Sequence, residues 1–217
     1  MVRFFDFHLT GRKNYAIIIT IYNKCYLMES KMPPKVKITK EKIVTVALSL
    51  VQAYGENALN ARSIAKALNC STQPIFSNFS SMESLRQEVI ASAEALYQTY
   101  AEKECENADY TPYKAYGMAY IRFAVEQRQL FQLLFMRDRT KEGYFQENAL
   151  NDLMTGMVQS QTGAPMDTAK LFHLEMWAFV HGIATIVATG YLELPSDIIS
   201  KMITDEYQGL MHRHGVK

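Results

Sequence analysis

Apolar residues between Thr39 and Gly55 recur every three to four positions. Thr39 is a suitable N-cap residue, and Gly55 is a suitable residue to end a helix. The pattern predicts an amphipathic helix across this segment, with its apolar stripe buried in a core. That stripe comprises Ile43, Val44, Ala47, Leu48, Leu50, Val51 and Tyr54.

The next stretch, Asn60 to Phe79, predicts two short helices joined by a tight turn. Asn60 is placed to cap a first helix that ends near Leu68. Ser71 is placed to cap a second helix, because Pro74 falls in its first turn, where a missing backbone N–H costs little. Two helices this short cannot bury a core alone, and their spacing is typical of the DNA-binding helix-turn-helix.

A long helix follows this pair. Ser80 and Glu83 have the spacing of a capping box and predict the start of a helix from Met82 to Lys103. Within the preceding pair, Ile75 and Phe79 are expected to lie in the core. The apolar residues of the long helix recur at threes and fours: Leu85, Val89, Ala93, Leu96 and Tyr100.

The chain from about Tyr110 onward predicts further helices and no strand. The fourth of these helices is apolar nearly all round, so it must be buried on more than one side. The sequence therefore predicts an all-α protein, with a three-helix DNA-binding domain over 32–82 and a larger helical domain over 83–217. The predicted helices of this second domain run over Tyr113 to Gln127, Gln129 to Met136, Phe145 to Gln159, Asp167 to Leu192 and Ser196 to His212.

Residues 1–31 fit poorly with this organisation. Their apolar run, Tyr15 to Tyr22, is shorter than the ~20 residues that a membrane span requires. Asp6 and the lack of a small-residue cleavage site argue against a signal peptide. Because the segment that begins at Met32 looks like the natural start of a cytosolic regulator, we expect residues 1–31 to be either non-native or a poorly ordered arm. We also expect the protein to be cytoplasmic and to have no membrane partner.

The net charge of +1 conceals two segments of opposite sign. Residues 32–82 carry six basic and two acidic residues, whereas 83–217 carry twelve basic and eighteen acidic residues. A basic segment around the helix-turn-helix is expected for a surface that binds phosphates, although ordinary solvated charges would give the same count. The three cysteines are far apart and fit neither a disulfide framework nor a metal site, which is typical of a reducing cytosol.

The segment from Thr39 to Leu85 resembles the N-terminal domain of the TetR family of bacterial transcriptional regulators. The resemblance is carried by the capped helix that ends at Gly55, by SIAKALNCSTQPIFSNF and by the capped SMESL that opens the long helix. It implies that Ser71 to Asn78 is the recognition helix in the major groove.

This resemblance implies two groups of DNA-contacting residues. Thr72, Gln73 and Ser77 are candidates for base contacts, with solvent exposure as the alternative, and Gln73 is able to pair with adenine through two hydrogen bonds. Arg62, Ser63 and Ser80 are better placed for phosphates, and Lys35, Lys37 and Lys40 for a basic arm. The complete predicted DNA-binding set is Lys40, Arg62, Ser63, Ser71, Thr72, Gln73, Phe76, Ser77, Asn78 and Ser80.

Two residues depart from the family pattern. Phe76 replaces a tyrosine whose hydroxyl meets a phosphate, and Met82 replaces a common lysine. Both changes remove backbone contacts rather than base contacts, so they affect affinity more than fold. Asn69 stands where the family usually has glycine and tolerates the left-handed conformation of the turn.

The second half resembles one C-terminal subgroup of the same family, through Trp177, His181 and Gly182, followed by Gly190. The resemblance implies a homodimer formed by the last two long helices and a pocket for a small hydrophobic or aromatic effector. The alternative for these aromatic residues is plain core. The predicted pocket residues are Tyr100, Tyr120, Phe123, Phe131, Phe135, Met154, Trp177 and His181, and the polar candidates beside them include Arg122, Gln132 and His173.

No motif supports an enzyme, a metal site or a cofactor. The sequence lacks a Gly-rich phosphate loop, a nucleophile elbow, HExxH and paired cysteines. The predicted function is a ligand-responsive regulator, expected to be a repressor, that binds a palindromic double-stranded operator as a homodimer and is released by its effector. The alternative is an all-helical small-molecule-binding protein without specific DNA function.

Overall fold

A computed structural model of the chain describes residues 38–138 and 149–216. The predicted extension 1–31, Lys35 and Lys37 lie outside the described residues. The described part is helical and contains no strand, which confirms the all-α prediction. Its helices are α1 (Lys40–Tyr54), a 3-10 turn (Glu56–Ala58), α2 (Ala61–Ala67), α3 (Gln73–Asn78), α4 (Met82–Cys105), α5 (Pro112–Glu126), α6 (Arg128–Phe135), α7 (Ala149–Thr162), α8 (Met166–Ala188) and α9 (Ser196–Arg213).

Local sequence signals set the ends of α1 and α2 as predicted. The Thr39 hydroxyl accepts a backbone N–H in the first turn of α1, and Gly55 ends that helix with φ +80°. The side-chain oxygen of Asn60 accepts the Ser63 amide at 2.9 Å and caps α2. Asn69 adopts φ +51° in the turn that follows, the left-handed conformation expected there.

The start of α3 differs from the prediction by two residues. The helix begins at Gln73 rather than Ser71, and its N-cap is Thr72, whose side chain makes no capping bond. Thr72 already has helical dihedrals, and its carbonyl accepts the amides of Ile75 and Phe76. The backbone of the turn therefore supplies the cap that the sequence suggested for the Ser71 side chain.

The capping box of α4 also differs from the predicted Ser80–Glu83 pair. Ser81 is the N-cap: its hydroxyl accepts the Ser84 amide at 3.1 Å, and its own amide donates to the Ser84 hydroxyl at 3.2 Å. Ser81 is extended, as an N-cap residue whose side chain caps the helix typically is, whereas the Glu83 side chain accepts from Gln87 one turn later. Because Ser80 and Ser81 are adjacent, the sequence pattern alone did not fix the register.

The described residues from Thr39 onward lie in one compact unit. Helix α1 packs against α2, α3, α4 and α6, so it joins the short helices to the rest of the unit. In the remainder, α5 packs against α4, α8 and α9, and α7 lies against α8. The largest fully buried side chains there are Phe123, Phe131, Phe172, Leu85, Ile121, Leu130 and Leu133.

Helix α8 was expected to be buried on more than one side, but within one chain only one face is covered. Its inner face includes the buried Phe172, Met176 and Val180. Its outer face leaves four large apolar side chains 36–57% exposed, namely Leu171, Leu174, Trp177 and Ile186. By length and composition alone α8 would also suffice to cross a membrane, a test that core helices of soluble proteins pass too.

The corrected cap of α4 yields a stability prediction. Replacing Ser81 with Ala removes the acceptor for the Ser84 amide, and we expect the free energy of unfolding to fall by about 1 kcal/mol. Ser80→Ala is the matched control and should change it by less than half of that amount, because Ser80 is exposed and does not cap the helix. Urea denaturation of both variants measures the difference; an equal loss in the two would contradict the assignment.

Candidate nucleic-acid interface and aromatic cluster

The helix-turn-helix presents most of its predicted DNA-binding residues to solvent. Ser63 and Thr72 are half-buried, and the other eight candidates are exposed. The eight are Lys40, Arg62, Ser71, Gln73, Phe76, Ser77, Asn78 and Ser80. The structure thus places the ten residues on α1, α2, α3 and the segments that flank them.

Helix α3 is held in place by its inner face. Ile75 and Phe79 are 0% and 4% exposed, which confirms their predicted place in the core. The Ser77 hydroxyl and the Asn78 amide group both donate to the Pro74 carbonyl, at 3.0 and 2.7 Å. These two side chains are therefore already engaged within α3.

Lys40 is engaged by partners that the sequence pattern did not reveal. Its ammonium group forms an ion pair with Glu88 of α4 and lies 5.5 Å from the centre of the Phe79 ring. A second ion pair joins Arg86 of α4 to Glu56 in the 3-10 turn, at 2.7 Å. To bind a phosphate, Lys40 would have to break its ion pair with Glu88. Arg62 has an exposed side chain on α2.

Six of the aromatic rings between α4, α5 and α6 form one packed cluster. Tyr97, which is absent from the predicted pocket set, lies edge-on to Tyr120, Phe123 and Phe135 with ring centroids 5.4–6.0 Å apart. Phe131 contacts both Tyr120 and Phe135. We call the six rings the aromatic cluster: Tyr97, Tyr100, Tyr120, Phe123, Phe131 and Phe135.

The remaining predicted pocket residues lie beside this cluster or on another helix. Nδ1 of His181 is 2.9 Å from the Tyr120 hydroxyl, and the Trp177 indole stacks on the imidazole with centroids 5.1 Å apart. Burial lowers the pKa of His181. Met154 is buried on α7. The structure therefore brings seven of the eight candidates into one network of contacting rings.

A cavity of about 350 Å³ opens elsewhere, between α5, the end of α4 and the start of α9. Its volume is in the range of small-molecule sites. None of the eight predicted pocket residues lines it. We call it the Arg122 groove; its lining is Glu104, Met118, Ile121, Arg122, Val125, Glu126, Leu194, Ser196 and Ile199.

Arg122 is the charged centre of this groove. Its guanidinium contacts Glu104 at 2.7 Å and Glu126 at 2.8 Å. The hydrogen bonds that Arg122 donates to Glu126 and Glu104 raise the pKa of Arg122, and Arg122 in turn holds the pKa of Glu126 below its usual value. The groove therefore combines apolar walls with a fixed ion-pair network.

A series of hydrogen bonds connects this network to α1. The Tyr100 hydroxyl donates to Glu126 at 2.9 Å and accepts from the Gln127 amide at 3.2 Å. Gln127 also accepts from Gln52 of α1 at 3.1 Å. We call Gln52, Gln127, Tyr100, Glu126 and Arg122 the polar relay. No local sequence pattern indicates the polar relay, because Gln52 and Gln127 are 75 residues apart.

His173 and His214 both have polar side-chain partners. The His173 ring is 3.0 Å from the Tyr113 hydroxyl, and Glu175 contacts both Arg213 and His214. Within residues 38–138 and 149–216, no group of three or more His, Cys, Asp or Glu is arranged to hold a metal ion.

Comparisons with known proteins agree with this architecture. Residues 113–205 match a family described as "Tetracyclin repressor-like, C-terminal domain". The fold is similar to the crystal structure of a TetR-like transcriptional regulator from Rhodococcus sp. RHA1, with a TM-score of 0.60 and 14% identity over 82% of this chain and 97% of that one. No curated protein sequence matches the chain.

The histidines yield a pH prediction. Burial lowers the pKa of His173 and His181, so below about pH 6.5 the unfolded chain binds protons that the folded chain does not. Stability should therefore fall as the pH drops from 7 to 5. His181→Gln removes one titrating group and should show a shallower fall of stability.

Urea denaturation at each pH measures this dependence. A wild-type stability that is flat between pH 7 and 5, or equal slopes for His181→Gln and the wild type, would contradict the role of burial.

Proposed function

We propose that the chain is a ligand-responsive transcriptional repressor of the tetracyclin repressor-like (TetR) family and acts in the cytoplasm, and the family match over residues 113–205 supports this proposal. The observation that carries the proposal is the geometry of α3. Buried Ile75 and Phe79 hold this helix against the core, while Gln73 and Phe76 face solvent. A short, firmly seated helix with an exposed face is what major-groove recognition requires.

In this proposal α3 enters the major groove of a palindromic operator. Arg62, Ser63, Ser71 and Ser80 flank it and contact phosphates, which fix its register on the duplex. Lys40 contributes less to affinity, because binding a phosphate would cost it the ion pair with Glu88.

The active form is a homodimer that pairs through α8 and α9. The exposed apolar side chains on the outer face of α8 support this, because a large exposed apolar patch typically marks an interface. Gly182 lies on the same face, and beyond its chain neighbours and the backbone of its own helix no atom of the described residues lies within 4 Å of the position that a Cβ would occupy. A second copy on this face would place two α3 helices at a fixed separation on DNA.

The effector is a small hydrophobic or aromatic molecule that acts on the central helices. The aromatic cluster is closely packed, so a ligand there would have to separate its rings. The adjoining Arg122 groove is already open, and its Glu126 accepts from Tyr100 of the cluster. A ligand that displaces either residue would disturb the polar relay to α1 and shift α4, changing the separation of the two α3 helices.

The second candidate function is small-molecule binding without DNA recognition. The Arg122 groove and the aromatic cluster would serve it equally well. It differs in predicting no binding to duplex DNA even at low salt.

An electrophoretic mobility shift with a mixed duplex pool tests the repressor. The full chain should bind at low salt and lose affinity steeply as salt rises. Arg62→Ala should weaken binding similarly on all sequences and reduce the slope of log K against log salt by about 1.8, because the dimer loses two phosphate contacts.

Lys103→Ala removes the same charge from an exposed position in the last turn of α4 and is the control; it should leave the slope unchanged. A loss in Arg62→Ala confined to one operator position would refute the phosphate role. A wild-type chain that binds no duplex at low salt would favour the second candidate.

A further inference from the structure

The exposed surface of α3 carries an aromatic ring. Phe76 is 54% exposed, whereas the neighbouring Ile75 and Phe79 are buried. The ring therefore contributes little to the core of the helix-turn-helix. An aromatic side chain that remains this exposed on a DNA-facing helix is available to contact a ligand of that helix.

The other side chains of α3 narrow the choice of base readers. The Ser77 hydroxyl and one N–H of the Asn78 amide donate to the Pro74 carbonyl, so both side chains are partly engaged within the helix. The other exposed side chains of α3 are Gln73 and Phe76. Residues three apart lie on the same side of a helix, so these two would meet neighbouring base pairs.

The chemistry of Phe76 restricts what it can recognise. A phenyl ring carries no hydrogen-bond donor or acceptor, so it cannot bind a phosphate oxygen or a polar base edge. The apolar group that distinguishes base pairs in the major groove is the C5-methyl of thymine. Gln73, which lies three residues before Phe76, is able to pair with adenine through two hydrogen bonds.

We propose that Phe76 is a specificity-determining residue that reads a thymine methyl group, and that Gln73 reads an adenine one or two base pairs away. The inference rests on the proposed function, because it requires α3 to lie in the major groove. It predicts half-sites in which an adenine and a thymine occur together beneath α3. Contact between the phenyl ring and the methyl group removes apolar surface of both from water. This contact favours thymine over the other bases without any hydrogen bond.

The expected change in the dissociation constant follows from the size of the methyl group. Burying one methyl group changes a binding constant about fourfold, so removing it from both half-sites should weaken the dimer about 15-fold. Replacing thymine with deoxyuridine removes this methyl alone and preserves every hydrogen-bonding group of the base pair.

The experiment begins with selection of the bound sequence from a random duplex library, using the full chain. Deoxyuridine then replaces each thymine of the half-site in turn, symmetrically in both halves, and the dissociation constant is measured by fluorescence anisotropy. The variants are Phe76→Ala and, as the control, Tyr54→Ala, which removes another exposed aromatic ring, at the end of α1 and outside the predicted DNA-binding set. Circular dichroism and urea denaturation check that both variants fold.

The proposal predicts one thymine position at which deoxyuridine weakens binding by the wild type and by Tyr54→Ala about 15-fold and leaves binding by Phe76→Ala unchanged. A wild type indifferent to deoxyuridine at every position would overturn it, as would a Phe76→Ala variant that keeps the same thymine preference. A selection that recovers no specific sequence would instead overturn the proposed function on which it rests.

Discussion

The burial of the inner faces of α2 and α3 is the constraint on which the remaining structure depends. With seven and six residues, these helices are far shorter than an isolated helix that is stable in water. They persist because Ile64, Ile75 and Phe79 are buried in a core that includes Ile43, Ala47 and Val51 of α1. The exposed face of α3 is thus positioned by residues that would never touch DNA.

The same dependence connects the helix-turn-helix with the second half of the chain. Helix α1 packs against both α4 and α6, and the Gln52–Gln127 hydrogen bond lies at this contact. The side chain of Gln129 reaches so close to Gly55 that a Cβ there would lie 2.6 Å from its oxygen. These contacts would carry a shift of α4 or α6 to α1, as the proposed effector control requires.

The sequence predicted those parts of the fold that rest on local signals. Periodicity located the helices, and Thr39, Asn60 and Asn69 set their ends as expected, because caps and left-handed turns involve neighbouring residues. The register errors at Ser71 and Ser80 arose where adjacent serines and threonines offered equivalent caps. Such choices are decided by backbone dihedrals that composition does not encode.

Contacts between residues that are far apart in the chain could not be predicted from the sequence. Nothing local indicates that Lys40 pairs with Glu88 or that Gln127 bridges Gln52 and Tyr100. The density of aromatic residues correctly identified the residues around Tyr120 as neighbours. Whether such rings form a packed core or line a cavity depends on how the helices are spaced. The cavity lies beside Arg122 instead, where apolar walls come from α5, α9 and the loop before α9.

The central claim is that two copies of the chain place two α3 helices in successive major grooves of one duplex. Hydroxyl-radical footprinting of the full chain on its selected DNA measures this directly. The account predicts two symmetric protected tracts whose centres are about 10 base pairs, or a multiple of that, apart. A single protected tract, or uniform protection along the duplex, would contradict it.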